Sequence, residues 1–346
     1  MLVNRSMLRL MAPVWTSLAL AGCGGSSSTA PTIGDGFGTS WQPAGAQPAL
    51  AARACPEFDC FGVSDPALLR LPGGEQRMWY TAGGTGGGPL IGCARVDAAL
   101  FPTRDPDLAV IPVGTAGAWD RFAETVSVVP DSASGHLRCF YLGYRDSGFV
   151  APAIGMMLSL DSAGTQWNRP PTPIYRPGVG AWDGVFLTGP SALRGPDGIW
   201  RIYYTGAGTT IGIGVLTSPD GVVWTPFPGN PVFERRLGQW DEAVLEPCVR
   251  FTRGHWWMWY SGYREPLGAG TRIGIGLASS DDGVHWTRVG NGPVLGPGLP
   301  GSWDDLRVLS ADVQIEPDGS LLMAAYGLAS RDLGVTAGSI AFWRSK

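Results

Sequence analysis

The sequence predicts an all-β fold, a five-bladed β-propeller closed by its own N-terminal strand, on three observations. First, an aromatic-Asp pair recurs at Phe58-Asp59, Trp119-Asp120, Trp182-Asp183, Trp240-Asp241 and Trp303-Asp304, at steps of about 60 residues. Second, each pair is followed by an apolar run, a polar turn and a second run ending in aromatics, as in Met78-Trp79-Tyr80 or Met258-Trp259-Tyr260, and in most repeats then by a glycine-spaced run such as Ile273-Gly274-Ile275-Gly276. Short β-rich runs divided by Gly, Pro and Asp read as strands and turns, and about four strands per unit reads as a propeller blade. Third, the last repeat stops after its third run. Near the N-terminus, Trp41 stands as far before Pro48 as Trp224 before Pro231 and Trp286 before Pro293. Residues 41–50 are therefore expected to supply the missing outer strand, leaving no open edge. A string of separate small domains is the alternative; no linker divides the repeats, and one four-stranded sheet makes a poor domain.

Taken in order, residues 1–23 read as an address. Arg5 and Arg9 precede an apolar stretch from Leu10 to Ala21 that is too short to span a bilayer. Leu20-Ala21-Gly22-Cys23 resembles a bacterial lipoprotein signal, with Cys23 the lipidated residue. Residues 24–38 read as a flexible tether and residues 39–346 as the propeller. The expected location is extracytoplasmic, on a membrane through the lipid anchor alone.

Composition agrees: 52 Gly and 29 Pro make turns, while 15 Trp and a 44% hydrophobic content fill a core. The net charge of −4 is spread in both signs, without the basic face that nucleic acid requires. Cys55 and Cys60 are close enough for a local disulfide in an oxidising compartment. Cys93, Cys139 and Cys248 fall inside predicted strands as small apolar residues. No Cys/His spacing matches a zinc site, so no cofactor or catalytic metal is expected; a structural calcium stays open. The three histidines, His136, His255 and His285, fall in turns, which leaves carboxylates to carry any catalysis.

The first strand of each blade lines a propeller's channel, so residues just after each aromatic-Asp pair face its mouth. These include Asp65, Glu124, Thr188, Glu246 and Asp312, with Arg307 near the last pair. Crowded carboxylates raise one another's pKa, so one can hold a proton while another stays ionised. Glycoside cleavage needs such a pair. Each has a plainer reading: Asp65 before Pro66 as a turn residue, Glu246 as a solvated strand-start residue. The five repeated Asp residues read as structural, since equivalents in every blade do not suit one asymmetric site. Trp182, Trp240 and Trp303 read as packing residues, some of them candidates for a sugar-stacking rim.

The five-blade plan, the S-x-D-G-x-x-W segments and the Asp-Pro and Glu-Pro strand starts resemble glycoside hydrolase families 43, 32 and 68, the arabinanase, β-xylosidase, invertase and levansucrase superfamily. The resemblance covers most of the chain after the signal. V-S-D65-P-A-L-L-R is similar to the motif whose Asp is base or nucleophile, and V-L-E246-P-C-V-R to the motif of the acid. It implies a hydrolase of poly- or oligosaccharides, arabinose- or xylose-containing among them. One departure stands out: where the family has a further Asp one blade before the Glu, this chain has Thr188-Gly189-Pro190. Glu124 and Asp183 are the candidates for a third carboxylate. The departure favours the alternative of a non-catalytic propeller binding glycans or surface partners. Residues 159–167 loosely resemble a sialidase Asp box, without the arginine cluster of that fold.

Overall fold

The computed structural model describes residues 36–84, 87–131, 134–146, 148–149, 151–332 and 338–345. The signal, Cys23 and most of the proposed tether lie outside them. Five antiparallel blades follow the repeat. Their inner strands are Gly62–Arg70, Phe122–Asp131, Phe186–Arg194, Ala243–Thr252 and Arg307–Ile315. The second strands are Gln76–Gly83, His136–Tyr144, Trp200–Ala207, His255–Tyr263 and Leu321–Leu328. The third are Pro89–Val96, Ala153–Ser159, Ile211–Ser218, Ile273–Ser280 and Ser339–Ser345. Short outer strands complete the blades. In the fifth, Gln42–Ala44 pairs antiparallel with Ser339–Ser345, Gln42 opposite Arg344 and Ala44 opposite Phe342. Phe37, assigned to the tether by sequence, is instead only 1% exposed and packs 4.9 Å from the Trp257 ring, centroid to centroid. The described propeller therefore begins before residue 39.

The cores lie between the sheets, where the second strands bury Trp79, Tyr141, Tyr203 and Trp259. The S-x-D-G turns are built by their side chains. Ser280 accepts from the Gly283 amide at 2.9 Å, and Asp282 accepts from the amides of Val284 at 2.9 Å and His285 at 2.8 Å. These turns also join blades, since the Tyr203 hydroxyl donates to Gly283 O at 2.7 Å and Arg138 to Gly221 O at 2.7 Å.

The aromatic-Asp pairs form a repeated brace. Asp120, Asp183 and Asp241 accept from the hydroxyls of Tyr141, Tyr204 and Tyr260 at 2.7, 2.8 and 3.0 Å. An arginine of the outer strand joins them: Arg104 reaches Asp59 and Arg288 reaches Asp241, each at 2.5 Å. In blade three Pro226 takes the place of that arginine, and Tyr175 donates to Asp183 at 2.6 Å instead. The paired tryptophans lie flat inside their own blades. A Cβ on Gly262 would meet the Trp240 ring at 2.6 Å, so only glycine lets that ring settle on the second strand. Cys55 and Cys60 form a disulfide, and Cys93, Cys139 and Cys248 are buried thiols.

Candidate active site

Every inner strand carries a bulge at the same height. The ladder slips between Ser64 and Ala67, Glu124 and Ser127, Thr188 and Ser191, Leu245 and Cys248, and Leu309 and Asp312. At each slip one residue turns left-handed: Asp65 (φ 48°), Thr125 (49°), Gly189 (59°), Glu246 (52°) and Ser310 (52°). For a side-chain-bearing residue that conformation costs roughly 1–2 kcal/mol. Bulges re-aim side chains, and here four non-glycine residues are held in the strained form in one ring around the channel, as at sites where geometry matters more than stability.

Asp65, Thr125, Glu246 and Ser310 form the waist between two cavities. The front one, at the start of the inner strands, has a volume of about 80 Å³. Glu124, Thr188 and Arg307 line it too, with Phe149, Phe186, Tyr263 and Tyr326 among its aromatic walls. The rear chamber is larger, about 430 Å³, and is lined by Arg250, Asp312 and Gln314 among others. Asp65, Glu124 and Glu246 thus converge on the front cavity, with Glu124 and Glu246 each only 6% exposed.

Burial, and then the charge of Asp65, push Glu246 up to about 7, while the Ser310 and Ser261 hydroxyls pull the other way. Burial and then Asp65 likewise raise Glu124 to about 8, against a hydrogen bond from Tyr144, with Glu246 adding to the rise. Asp65 is raised by burial and held back by the hydroxyls of Ser310, Ser64 and Thr81. Because Ser310 acts on both Asp65 and Glu246, the two carboxyls share one electrostatic site. Both shifts favour the protonated forms of Glu124 and Glu246 beside Asp65.

Three hydroxyls on second strands fix this geometry, and sequence reasoning missed all three. Ser261 donates to Glu246 Oε2 at 3.0 Å and accepts from the Ser310 amide at 2.9 Å. Thr81 accepts from the Thr125 amide at 3.0 Å while facing Asp65. Thr205 accepts from the Glu246 amide at 2.7 Å. Each ties the left-handed residue of the next blade to its neighbour. The sequence signal was a Ser or Thr directly after the aromatic run, in Tyr80-Thr81, Tyr204-Thr205 and Tyr260-Ser261. Tyr144, which donates to Glu124 Oε2 at 3.0 Å, was also missed.

Several expected site residues fall elsewhere. Asp183 is 1% exposed inside the tyrosine brace and does not line the front cavity, because its strand-entry position points it between sheets. Asp312 belongs to the rear chamber, where it accepts from the Leu68 amide at 2.6 Å and pairs with Arg250. Its place is two residues past the bulge, where side chains stitch blade to blade. Trp182, Trp240 and Trp303 are packed on Tyr204, Tyr260 and Trp343 and form no rim to the cavity. Arg307 lines the front cavity while donating to Gly268 O at 2.8 Å and Thr271 O at 3.1 Å; burial lowers its pKa. No group of three or more His, Cys, Asp or Glu side chains suited to a metal ion occurs among the described residues.

Solved structures share this architecture. One described as a glycoside hydrolase superposes with a TM-score of 0.68 at 19% identity, over 88% of this chain and 92% of that one. The fold is that of the five-bladed propeller glycoside hydrolases. A thermostable family-43 glycoside hydrolase superposes with a TM-score of 0.63 at 14% identity, over 84% of this chain and 91% of that one. At such identity the likeness establishes the architecture. No family model matches the chain. A curated relative, the A type blood N-acetyl-alpha-D-galactosamine deacetylase of Flavonifractor plautii, is 46% identical over 44 residues. That match spans 13% of this chain and only 6% of the relative's length.

Proposed function

We propose that the protein is a glycoside hydrolase in which Glu246 protonates the departing glycosidic oxygen and Asp65 is the ionised partner at the sugar carbon. The observation that carries this reading is the meeting of three carboxyls from three blades at one small cavity, with Glu246 pushed up to about 7. A general acid works best with a pKa near the working pH. Glu124 is the third carboxyl, supplied by blade two instead of blade three. Its charge-free form avoids a third negative charge beside Asp65. Thr188 and Arg307 line the cavity as sugar-contacting residues. The substrate class is poly- or oligosaccharide, with arabinose- and xylose-containing glycans the first to try. The chemistry as proposed uses no cofactor.

Two further expectations stand as proposals: export, with lipidation at Cys23, checked by fatty-acid labelling of the chain and of Cys23→Ser. The hydrolase reading is tested by assaying the purified protein on aryl glycosides and polysaccharides, with acetate release followed on N-acetylated sugars. Turnover that disappears in Asp65→Asn and Glu246→Gln, both still folded, supports it; acetate release without sugar release overturns it. A second reading, a propeller that binds glycan without cleaving it, is favoured by Gly189 standing where a carboxylate would complete the usual set. Binding without turnover in the unmodified protein decides for that reading.

A further inference from the structure

The residues shared by the front cavity and the rear chamber are Asp65, Thr125, Glu246 and Ser310. The waist is therefore a diaphragm one side chain thick, and Asp65 is reachable from both sides. The front cavity, at about 80 Å³, leaves no room for an attacking water beside a sugar ring that enters it. The rear chamber, at about 430 Å³, has space for water and polar walls including Ser127, Ser191 and Gln314; a buried water needs two to four polar partners.

Ser310 Oγ and Thr125 Oγ1 are both buried without a hydrogen-bond partner among the described residues, but Ser310 bears on the Asp65 and Glu246 carboxyls, which leaves Thr125 unexplained. It is 7% exposed. Such groups call for a bound water or a functional reason. Its backbone is also left-handed, φ 49°, a genuine outlier for a β-branched residue. Asp65 and Glu246 need that conformation to aim a carboxyl at the axis. At position 125 it aims a hydroxyl at the same place.

We propose that the water consumed in hydrolysis comes from the rear chamber and is seated by the Thr125 hydroxyl against Asp65. The inference rests on the hydrolase reading above. In the step it describes, the glycosidic C–O bond breaks and the Glu246 proton goes to the leaving oxygen, which departs through the front. The rear water forms the new C–O bond and gives its proton to Asp65. The proton on Asp65 then returns to solvent and Glu246 is reprotonated, so the cycle closes. Attack from the side opposite the leaving group inverts the anomeric centre. Thr125 is a positioning residue here, acting through the water.

The test uses the purified full chain and a substrate that the panel shows it to cleave. Proton NMR of the first-formed sugar is expected to show the anomer opposite to that of the substrate. Thr125→Val keeps the shape and removes the hydroxyl; its kcat is expected to fall about tenfold or more with KM nearly unchanged, and Thr125→Ser to recover most of the loss. A retained anomer, or Thr125→Val turning over like the unmodified protein, overturns the inference and leaves the hydrolase reading standing. Absence of turnover in the unmodified protein overturns the hydrolase reading and the inference with it. If Thr125→Val does not fold, the NMR result on the unmodified chain decides.

Discussion

A Cβ placed on Gly189 would lie 2.7 Å from the Cα of Glu246. Gly189 is the blade-three counterpart of Asp65 and Glu246 at the bulge, yet its backbone lies against Glu246 itself, with φ 59°. A side chain there would displace the acid. This contact explains why blade three supplies no carboxylate at the bulge. Gly189→Ala is expected to destabilise the protein by about 1–3 kcal/mol, from the left-handed conformation and the clash together. Denaturant unfolding measures it; a neutral result would mean that the two blades are not in contact there.

Ser261 serves two neighbours at once, the Glu246 carboxyl and the Ser310 amide. Its hydrogen bond favours the charged form of Glu246, so Ser261→Ala is expected to raise the Glu246 pKa further. The limb of the pH–rate profile that reports the acid should move to higher pH. The buried Ser310 amide left without its acceptor should cost about 1–3 kcal/mol. A profile that does not move would dissociate Ser261 from the acid.

Stability should fall as pH rises from about 4.5 towards 8. Glu124 and Glu246 have folded-state values of about 8 and about 7, against an ordinary carboxyl value of 4.5. The folded state thus binds more protons than the unfolded chain across that window. The stabilisation is fully present below the unfolded pKa and is lost as pH climbs through the folded ones. Thermal midpoints measured across this range should decline, and Glu124→Gln should flatten the decline. A midpoint that rises over the window would contradict the burial of both groups in one cluster.

Asp241 illustrates the opposite kind of carboxylate. It accepts from Tyr260 at 3.0 Å and pairs with Arg288 at 2.5 Å and Arg236 at 3.0 Å, and its pKa is lowered, burial opposing those partners. Asp241→Asn is expected to cost about 1–3 kcal/mol, since the half-buried Arg288 and Arg236 lose their countercharge. Turnover per folded molecule should be retained. Equal loss of stability and of turnover per folded molecule would place Asp241 in the site after all.

The blade count, the order of strands within each blade, the S-x-D-G turns and the structural role of the repeated Asp residues were all legible in the chain. So was the placing of Asp65 and Glu246 on inner strands, because each follows an aromatic-Asp pair by a similar interval. These features are local and repeated, and repetition reveals periodic structure without any knowledge of contacts. What tertiary structure alone decided was where side chains one or two residues apart end up. The bulge sends Asp65, Thr125, Glu246 and Ser310 to the waist, while Asp312, two residues past it, goes to the rear chamber. Asp183, in the pair before its strand, goes between the sheets. A bulge changes the facing of a strand by inserting a single residue, and nothing in the alternation of apolar and polar residues announces it. The shared hydroxyls of Ser261 and Thr81, and the contact that excludes a carboxylate at Gly189, join neighbouring blades about 40 to 60 residues apart in sequence. Such pairings exist only once the ring has closed and set one bulge against the next.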